Sequence, residues 1–74
     1  MNKERRKSLK KALRLIGQAA EMLEDIRDEE EEAMENLPEG IRYGRTGGQM
    51  QEYIDLINEA IESLENADSI LSGI

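Results

Sequence analysis

Two segments with helical periodicity, separated by a linker that holds the only proline, constrain the fold of this chain most. Apolar residues recur at spacings of three and four over about residues 3–35 and 47–72, the pattern of amphipathic helices. The linker 36–48 contains Pro38 and four of the six glycines. Because proline disfavours helix in the residue before it, the first helix should end ahead of Pro38. The sequence therefore predicts an all-α fold, an antiparallel two-helix hairpin forming a single domain over residues 1–74.

The apolar residues of each segment form one main stripe. In the first helix the stripe consists of Leu9, Ala12, Leu13, Ile16, Ala19, Ala20, Leu23, Ile26, Ala33, Met34 and Leu37. In the second helix it consists of Met50, Tyr53, Ile54, Ile57, Ala60, Ile61, Leu64, Ala67 and Leu71. Two helices packed side by side bury one stripe each, so we expect five further apolar residues to stay exposed: Leu15, Met22, Leu56, Ile70 and Ile74. Exposed apolar surface of this kind indicates an interface.

Chain length supports the same expectation. A chain of 74 residues without cysteine has no disulfide to stabilise a small core, and chains of this size often rely on oligomerisation. We therefore expect the hairpin to oligomerise into a helical bundle. A dimer forming a four-helix bundle is the first choice, and a larger ring is the second.

Composition narrows the partners and the location. A net charge of −7 argues against direct nucleic-acid binding, which needs a basic face. No apolar run approaches the ~18 residues of a membrane span. The basic start Met1–Lys7 leads into an amphipathic pattern, unlike the uniform apolar block of a signal peptide. The sequence indicates a cytoplasmic protein without a membrane partner.

The charges of the first helix oppose its dipole, with basic residues at its start and the acidic run Asp28–Glu32 near its end. In an antiparallel hairpin, the basic residues Lys7, Lys10, Lys11 and Arg14 should face the acidic stripe Glu59, Glu62, Glu65 and Asp68. The acidic run then pairs with the basic start of a second, antiparallel copy, or it is simply solvated.

The linker carries the candidate ligand site. Arg42 and Arg45 can each bind a phosphate or carboxylate through two parallel hydrogen bonds, and Tyr43 can stack on a base. Thr46 is expected to cap the second helix through a Thr46–Gln49 capping box, with the Gly47, Gly48 and Gln49 amides facing an anion. The predicted ligand-binding residues are Arg42, Tyr43, Arg45, Thr46, Gly47 and Gly48. The alternative is an ordered turn in which the arginines neutralise Glu29–Glu32.

The chain has few side chains suited to catalysis, because it lacks histidine for acid–base chemistry and cysteine for nucleophilic attack. One enzyme hypothesis comes from carboxylates three residues apart, Glu21/Glu24 and Glu52/Asp55. These pairs resemble the magnesium-binding pairs of all-α nucleotide pyrophosphohydrolases. With seventeen acidic residues such spacings arise by chance. The chain is expected to be no enzyme and to use neither a cofactor nor a metal.

Three motifs extend over nearly the whole chain: Met1-Asn2-Lys3-x-Arg5-Arg6-Lys7-x-Leu9, then Asp28-Glu29-Glu30-Glu31-x-x-x-x-Asn36-Leu37-Pro38-Glu39, then Gly47-x-x-Met50-x-Glu52. Together they resemble a group of small uncharacterised proteins encoded by tailed bacteriophages and prophages. Between Gly40 and Thr46 the chain departs from the serine- and glutamate-bearing loop of that group. The resemblance implies a phage origin, and hence the cytoplasm of the host cell, but no particular activity.

Two functions follow as expectations. The first is a phage-type oligomeric binding protein, directed against host defence, that sequesters a small phosphorylated or cyclic-nucleotide signal at the linker or a subunit interface. The second is an acidic interaction or DNA-mimic module that binds and inhibits a basic host protein.

Overall fold

The computed structural model describes all residues from Met1 to Ile74 and is entirely helical. Two long helices, α1 (Lys3–Glu35) and α3 (Arg45–Ser72), pack against each other, and a four-residue helix, α2 (Glu39–Arg42), lies in the connection. The Cα atoms extend over 58 × 15 × 12 Å. No helix has both the length and the apolarity needed to cross a membrane. The all-α hairpin predicted from the periodicity is thus observed, with one additional helical turn.

Helix α1 covers the residues that the periodicity predicts, and its ends have local causes. At its start the side chain of Asn2 accepts a hydrogen bond from the amide of Arg5 at 2.8 Å, which satisfies one of the free N–H groups of the first turn. At its end the amide of Leu37 donates to the carbonyl of Met34 at 3.2 Å, and Pro38 follows.

The predicted linker 36–48 is wrong from Glu39 onward, because most of its residues are helical. The carbonyl of Pro38 accepts hydrogen bonds from the amides of Ile41 (2.9 Å) and Arg42 (2.8 Å), so the chain resumes a helical turn directly after the proline. Helix α3 begins at Arg45, two residues before the predicted start near residue 47. A proline that interrupts one helix also has the φ angle needed to begin another, which explains α2.

The capping box predicted at Thr46 is also wrong. Gly44 occupies the N-cap position of α3, and no side chain caps this end. Thr46 lies inside the first turn of the helix. With Gly44 as the N-cap, Thr46 is the second helical residue and Gln49 the fifth, whereas a capping box requires them at the N-cap and at the third helical position.

Helices α1 and α3 meet along residues that alternate at spacings of three and four, which we call the seam. On and just after α1 the seam consists of Leu9, Leu13, Ile16, Ala20, Leu23, Arg27, Glu30, Met34 and Leu37, all of them half-buried. On α3 it consists of the buried or half-buried Gly47, Met50, Ile54, Ile57, Ile61, Leu64 and Leu71, while Asp68 continues the spacing but is exposed. This spacing is that of helices packed as a coiled coil. Burial is greatest on α3, where Ile54 is 1% exposed and Ile61 is 5% exposed, while no residue of α1 is fully buried.

One polar contact crosses the seam and defines its register. Nη1 of Arg27 donates to Oδ1 of Asn58 at 3.0 Å, while Nε and Nη2 of Arg27 each lie 3.2 Å from Oδ1 of Asp28. Arg27 is only 27% exposed in its side chain. The stripe of α1 has no apolar residue between Ile26 and Ala33, and Arg27 occupies a position in the seam where an apolar side chain would otherwise pack against α3.

The register contradicts the predicted ion pairing within the hairpin. Arg27–Asp28 is the only ion pair within 4.0 Å in the structure, and none joins the two long helices. At the open end, Arg6 and Lys10 already lie beside Ile74, the last residue of the chain. The basic start of α1 therefore lies at and beyond the end of α3, displaced from the acidic stripe that begins at Glu59.

The five apolar residues expected outside the seam, Leu15, Met22, Leu56, Ile70 and Ile74, are confirmed as exposed. Ile26 and Tyr53 were predicted on the buried stripes, but both are nearly half exposed. Six of these seven residues precede a seam position by one along their helix, whereas Ile74 lies beyond the end of α3 and lines a groove with Lys10 and Ser72. We call the six residues, together with the alanines between them, the apolar face.

The apolar face is a single surface to which both helices contribute. Gly17 and Glu65, each one residue after a seam position, line the same groove between the helices. Lys10 and Ser72 share a second groove in the same way. Positions one residue before the seam therefore lie together on the opposite side of the hairpin. The hairpin has one apolar side and one polar side.

Candidate binding groove at the hairpin turn

The largest groove lies at the turn and has a volume of about 350 Å³. It is open to solvent and is lined by Met34 of α1, by Arg42, Tyr43 and Gly44 of the turn, and by Gly47, Gly48 and Gln51 of α3. A groove of this size falls within the range that small-molecule sites occupy.

The backbone of Arg42 and the Cα of Gly47 form the base of the turn. A Cβ atom built on Gly47 would overlap the carbonyl of Arg42 and lie 2.8 Å from its Cα. Gly47 is accordingly buried, although it lies in the first turn of a helix. The sequence predicted Gly47 as a ligand-binding residue. In the structure the group that approaches its backbone is the chain's own α2.

Gly48 differs from its neighbour. A Cβ built on Gly48 meets no atom within 4 Å, and the residue borders the groove. Its amide donates to the carbonyl of Gly44 at 3.0 Å. The expectation that the Gly48 amide faces an anion is therefore wrong. The amides without an acceptor in the chain are those of Arg45, Thr46 and Gly47, which open α3.

Of the six predicted ligand-binding residues, the structure places four on the groove: Arg42, Tyr43, Gly47 and Gly48. Arg45 and Thr46 are exposed residues of the first turn of α3 and do not line it. The two arginines are thus not equivalent, which the sequence alone did not show.

The charged and aromatic groups of the groove lie close together. The guanidinium carbon of Arg42 lies 5.5 Å from the centroid of the Tyr43 ring, within cation–π distance. The tyrosine ring is 78% exposed. Neither Arg42 nor Arg45 lies within 4.0 Å of a carboxylate, so the alternative in which these arginines neutralise Glu29–Glu32 is not observed. The Arg42 guanidinium and the Tyr43 ring are therefore available to a ligand.

Sequence reasoning missed three residues of this groove, Gly44 in the turn and Met34 and Gln51 in the long helices. Met34 enters because the last turns of α1 pass beside the start of α3. The side-chain nitrogen of Gln51 donates to Oδ1 of Asp55 at 3.0 Å, which directs its amide along the helix. Met34 and Gln51 belong to the helical segments, and only the register between the helices brings them to the turn.

The carboxylate pairs of the enzyme hypothesis are not brought together. Arg27 of α1 and Asn58 of α3 lie at the same height in the hairpin, since they share a hydrogen bond. Because the helices are antiparallel, Glu24 lies three residues from that height toward the open end, and Asp55 lies three residues from it toward the turn. At 1.5 Å per residue this separates them by about 9 Å along the hairpin. No group of three or more acidic residues is arranged to hold a metal ion.

Comparison of the chain with protein-family models, with curated proteins and with solved structures gave no match. The resemblance to phage-encoded proteins remains a prediction from the sequence motifs.

Proposed function

We propose that this chain is a small binding protein that takes up a phosphorylated small molecule at its turn, in the manner of a phage protein that sequesters a nucleotide-type signal. The observation that carries the proposal is the groove in which the Arg42 guanidinium and the Tyr43 ring lie side by side, 5.5 Å apart. A guanidinium binds phosphate and an aromatic ring stacks on a base, so the pair offers both halves of a nucleotide site.

Charge distribution supports an anionic ligand at this place. The chain carries −7 overall, and Arg42 and Arg45 are the only cations after Arg27. The unpaired amides at the start of α3 add partial positive charge at the same end of the hairpin. In the half of the molecule near the turn, an anion is attracted to this groove and repelled elsewhere.

Thermal unfolding in the presence of cyclic di- and trinucleotides, cyclic ADP-ribose isomers and inorganic phosphate tests the proposal. A ligand at 100 times its dissociation constant stabilises the protein by about 2.7 kcal/mol. Arg42→Gln should abolish the shift, whereas Arg45→Gln, outside the groove, should weaken it only modestly. The absence of a shift with every compound, or an equal loss in both variants, would reject the Arg42 groove as the site.

A second candidate function rests on the polar side of the hairpin. Carboxylates from both helices share this side, among them Glu21, Glu24, Glu62 and Glu65. The one ion pair near them, Arg27–Asp28, neutralises a single acid. Such a surface fits a basic host protein, bound as the DNA-mimic hypothesis expects. Binding of a lysate protein that weakens steeply with salt, and is lost when residues 28–32 are neutralised, would support it.

A further inference from the structure

We infer that the apolar face is the docking surface for a second copy of this chain, which lies antiparallel so that α1 of each copy contacts α1 of the other. This inference is independent of the proposed ligand, because the apolar face and the grooves lie on opposite sides of the hairpin. Its basis is the pattern of apolar residues, the register of the hairpin and the distribution of charge.

The apolar residues of α1 have the spacing that a second packed helix needs. Leu15, Ala19, Met22 and Ile26 alternate at spacings of four, three and four, as seam residues do. In an antiparallel pair with twofold symmetry, Leu15 lies against Ile26 of the second copy, and Ala19 lies against Met22. The small Ala19 then faces the large Met22, which allows close packing near the centre of the contact. This contact is centred between Ala20 and Glu21.

The apolar residues of α3 give the same symmetry axis independently. Pairing them by the same rule places Ala60 against Ile70 of the second copy, and this contact is centred on Glu65. Ala20 and Glu65 line one groove of the hairpin and so lie at the same level along its length. One twofold axis therefore satisfies both helix pairs.

Charge complementarity favours α1 against α1 over α1 against α3 of the second copy. Directly beside the apolar face and spaced by multiples of seven residues, α1 carries Lys11 in its first half and Asp25 and Glu32 in its second. The antiparallel arrangement brings Lys11 near Glu32 of the other copy, and it does so twice because of the twofold symmetry. Placing α1 against α3 would bring the acidic half of α1 beside the carboxylates of α3 instead.

The surface has the area that a stable dimer requires. Each helix is ~10 Å wide, and α3 is ~42 Å long, so one side of the two-helix hairpin has an area of roughly 800 Å² per copy. Standard interfaces bury about this much on each partner. Helix α1 also buries no residue fully within the hairpin, so its packing is incomplete until the second copy is present.

Engineered cysteines test the arrangement, since the chain has none of its own. Leu15→Cys in one copy and Ile26→Cys in a second, tagged copy should form a disulfide when mixed under mild oxidation. The matched control mixes Leu15→Cys with Ile70→Cys, which the arrangement of α1 against α3 would join. Linkage in the control pair, linkage in neither pair, or an 8.4 kDa species in sedimentation at micromolar concentration overturns the inference.

Charge reversal gives a second test that does not depend on a bond being formed. One variant carries Lys11→Glu, and the other carries Glu32→Lys. Each variant alone should dissociate at least tenfold more readily than the unmodified chain at low salt, and an equimolar mixture should recover association. A mixture no tighter than the separate variants overturns the antiparallel contact.

Discussion

The Cα of Gly47 packs directly against the backbone of Arg42, and no side chain at position 47 would fit between them. The contact joins the four-residue helix α2 to the first turn of α3. It fixes the path of the chain at the turn and thereby the place from which the Arg42 side chain enters the groove. A glycine that seemed suited to a ligand thus has a structural role.

We expect Gly47→Ala to destabilise the protein by about 1–3 kcal/mol, because the added methyl group displaces the backbone of Arg42. Gly48→Ala is the matched control, since its methyl group would enter open space. That variant should gain about 0.5–1 kcal/mol from the better helix propensity of alanine. Urea unfolding of both variants measures the difference, and equal effects would show that the close contact is absent.

The hydrogen bond from Arg27 to Asn58 should contribute to stability in a way that a double-mutant cycle isolates. We expect Asn58→Ala to cost about 1 kcal/mol, because the partly buried guanidinium loses an acceptor. The coupling energy between Arg27→Ala and Asn58→Ala should be about 0.5–1.5 kcal/mol. Asn66→Ala on the exposed side of α3 serves as control and should change stability by less than about 0.5 kcal/mol. A coupling energy near zero would mean that the two side chains do not interact.

The Tyr43 ring should matter for ligand binding and little for folding. Its side chain is 78% exposed, so Tyr43→Ala should change the free energy of unfolding by less than about 0.5 kcal/mol. The same variant should weaken binding of a base-containing ligand and leave binding of inorganic phosphate unchanged, because only the base stacks on the ring. Unfolding curves and calorimetric titrations give the two values. A large loss of stability would place Tyr43 in the core of the turn.

Residues of the apolar face should separate assembly from folding. Met22→Gln should weaken self-association while leaving the helical content of the monomer intact, since Met22 is 64% exposed in the hairpin. Ile61→Ala, in the seam, should instead lower stability by about 2–5 kcal/mol through the cavity it creates. Circular dichroism and sedimentation of the two variants distinguish these effects. The scheme fails if Met22→Gln unfolds the chain or leaves association unchanged.

Local signals made the long helices predictable from the sequence. Asn2 and Pro38 enclose α1, and the three-and-four spacing of apolar residues gives both helices their faces. The turn was harder, because a four-residue helix such as α2 is too short to show periodicity and contains Gly40. Its hydrogen bonds to Pro38 depend on backbone geometry that composition does not encode.

The register between the helices explains the remaining errors. Pairing of the basic start with the acidic stripe at Glu59–Asp68 assumed that the two helices end together. Helix α1 is five residues longer than α3, so its basic start passes the end of its partner. The same register put Arg27 into the seam and Met34 into the groove. Because register follows from the turn, an error in the turn extends along the whole hairpin.

The dependence of thermal stability on protein concentration tests the central claim most directly, that this hairpin is completed by a second copy. Association stabilises the folded state by mass action, so we expect the unfolding midpoint to rise steadily between about 1 and 100 μM chain. Sedimentation over that range should show a species of twice the 8.4 kDa chain mass. A midpoint independent of concentration, together with a compact, cooperatively folding 8.4 kDa species, would contradict the account.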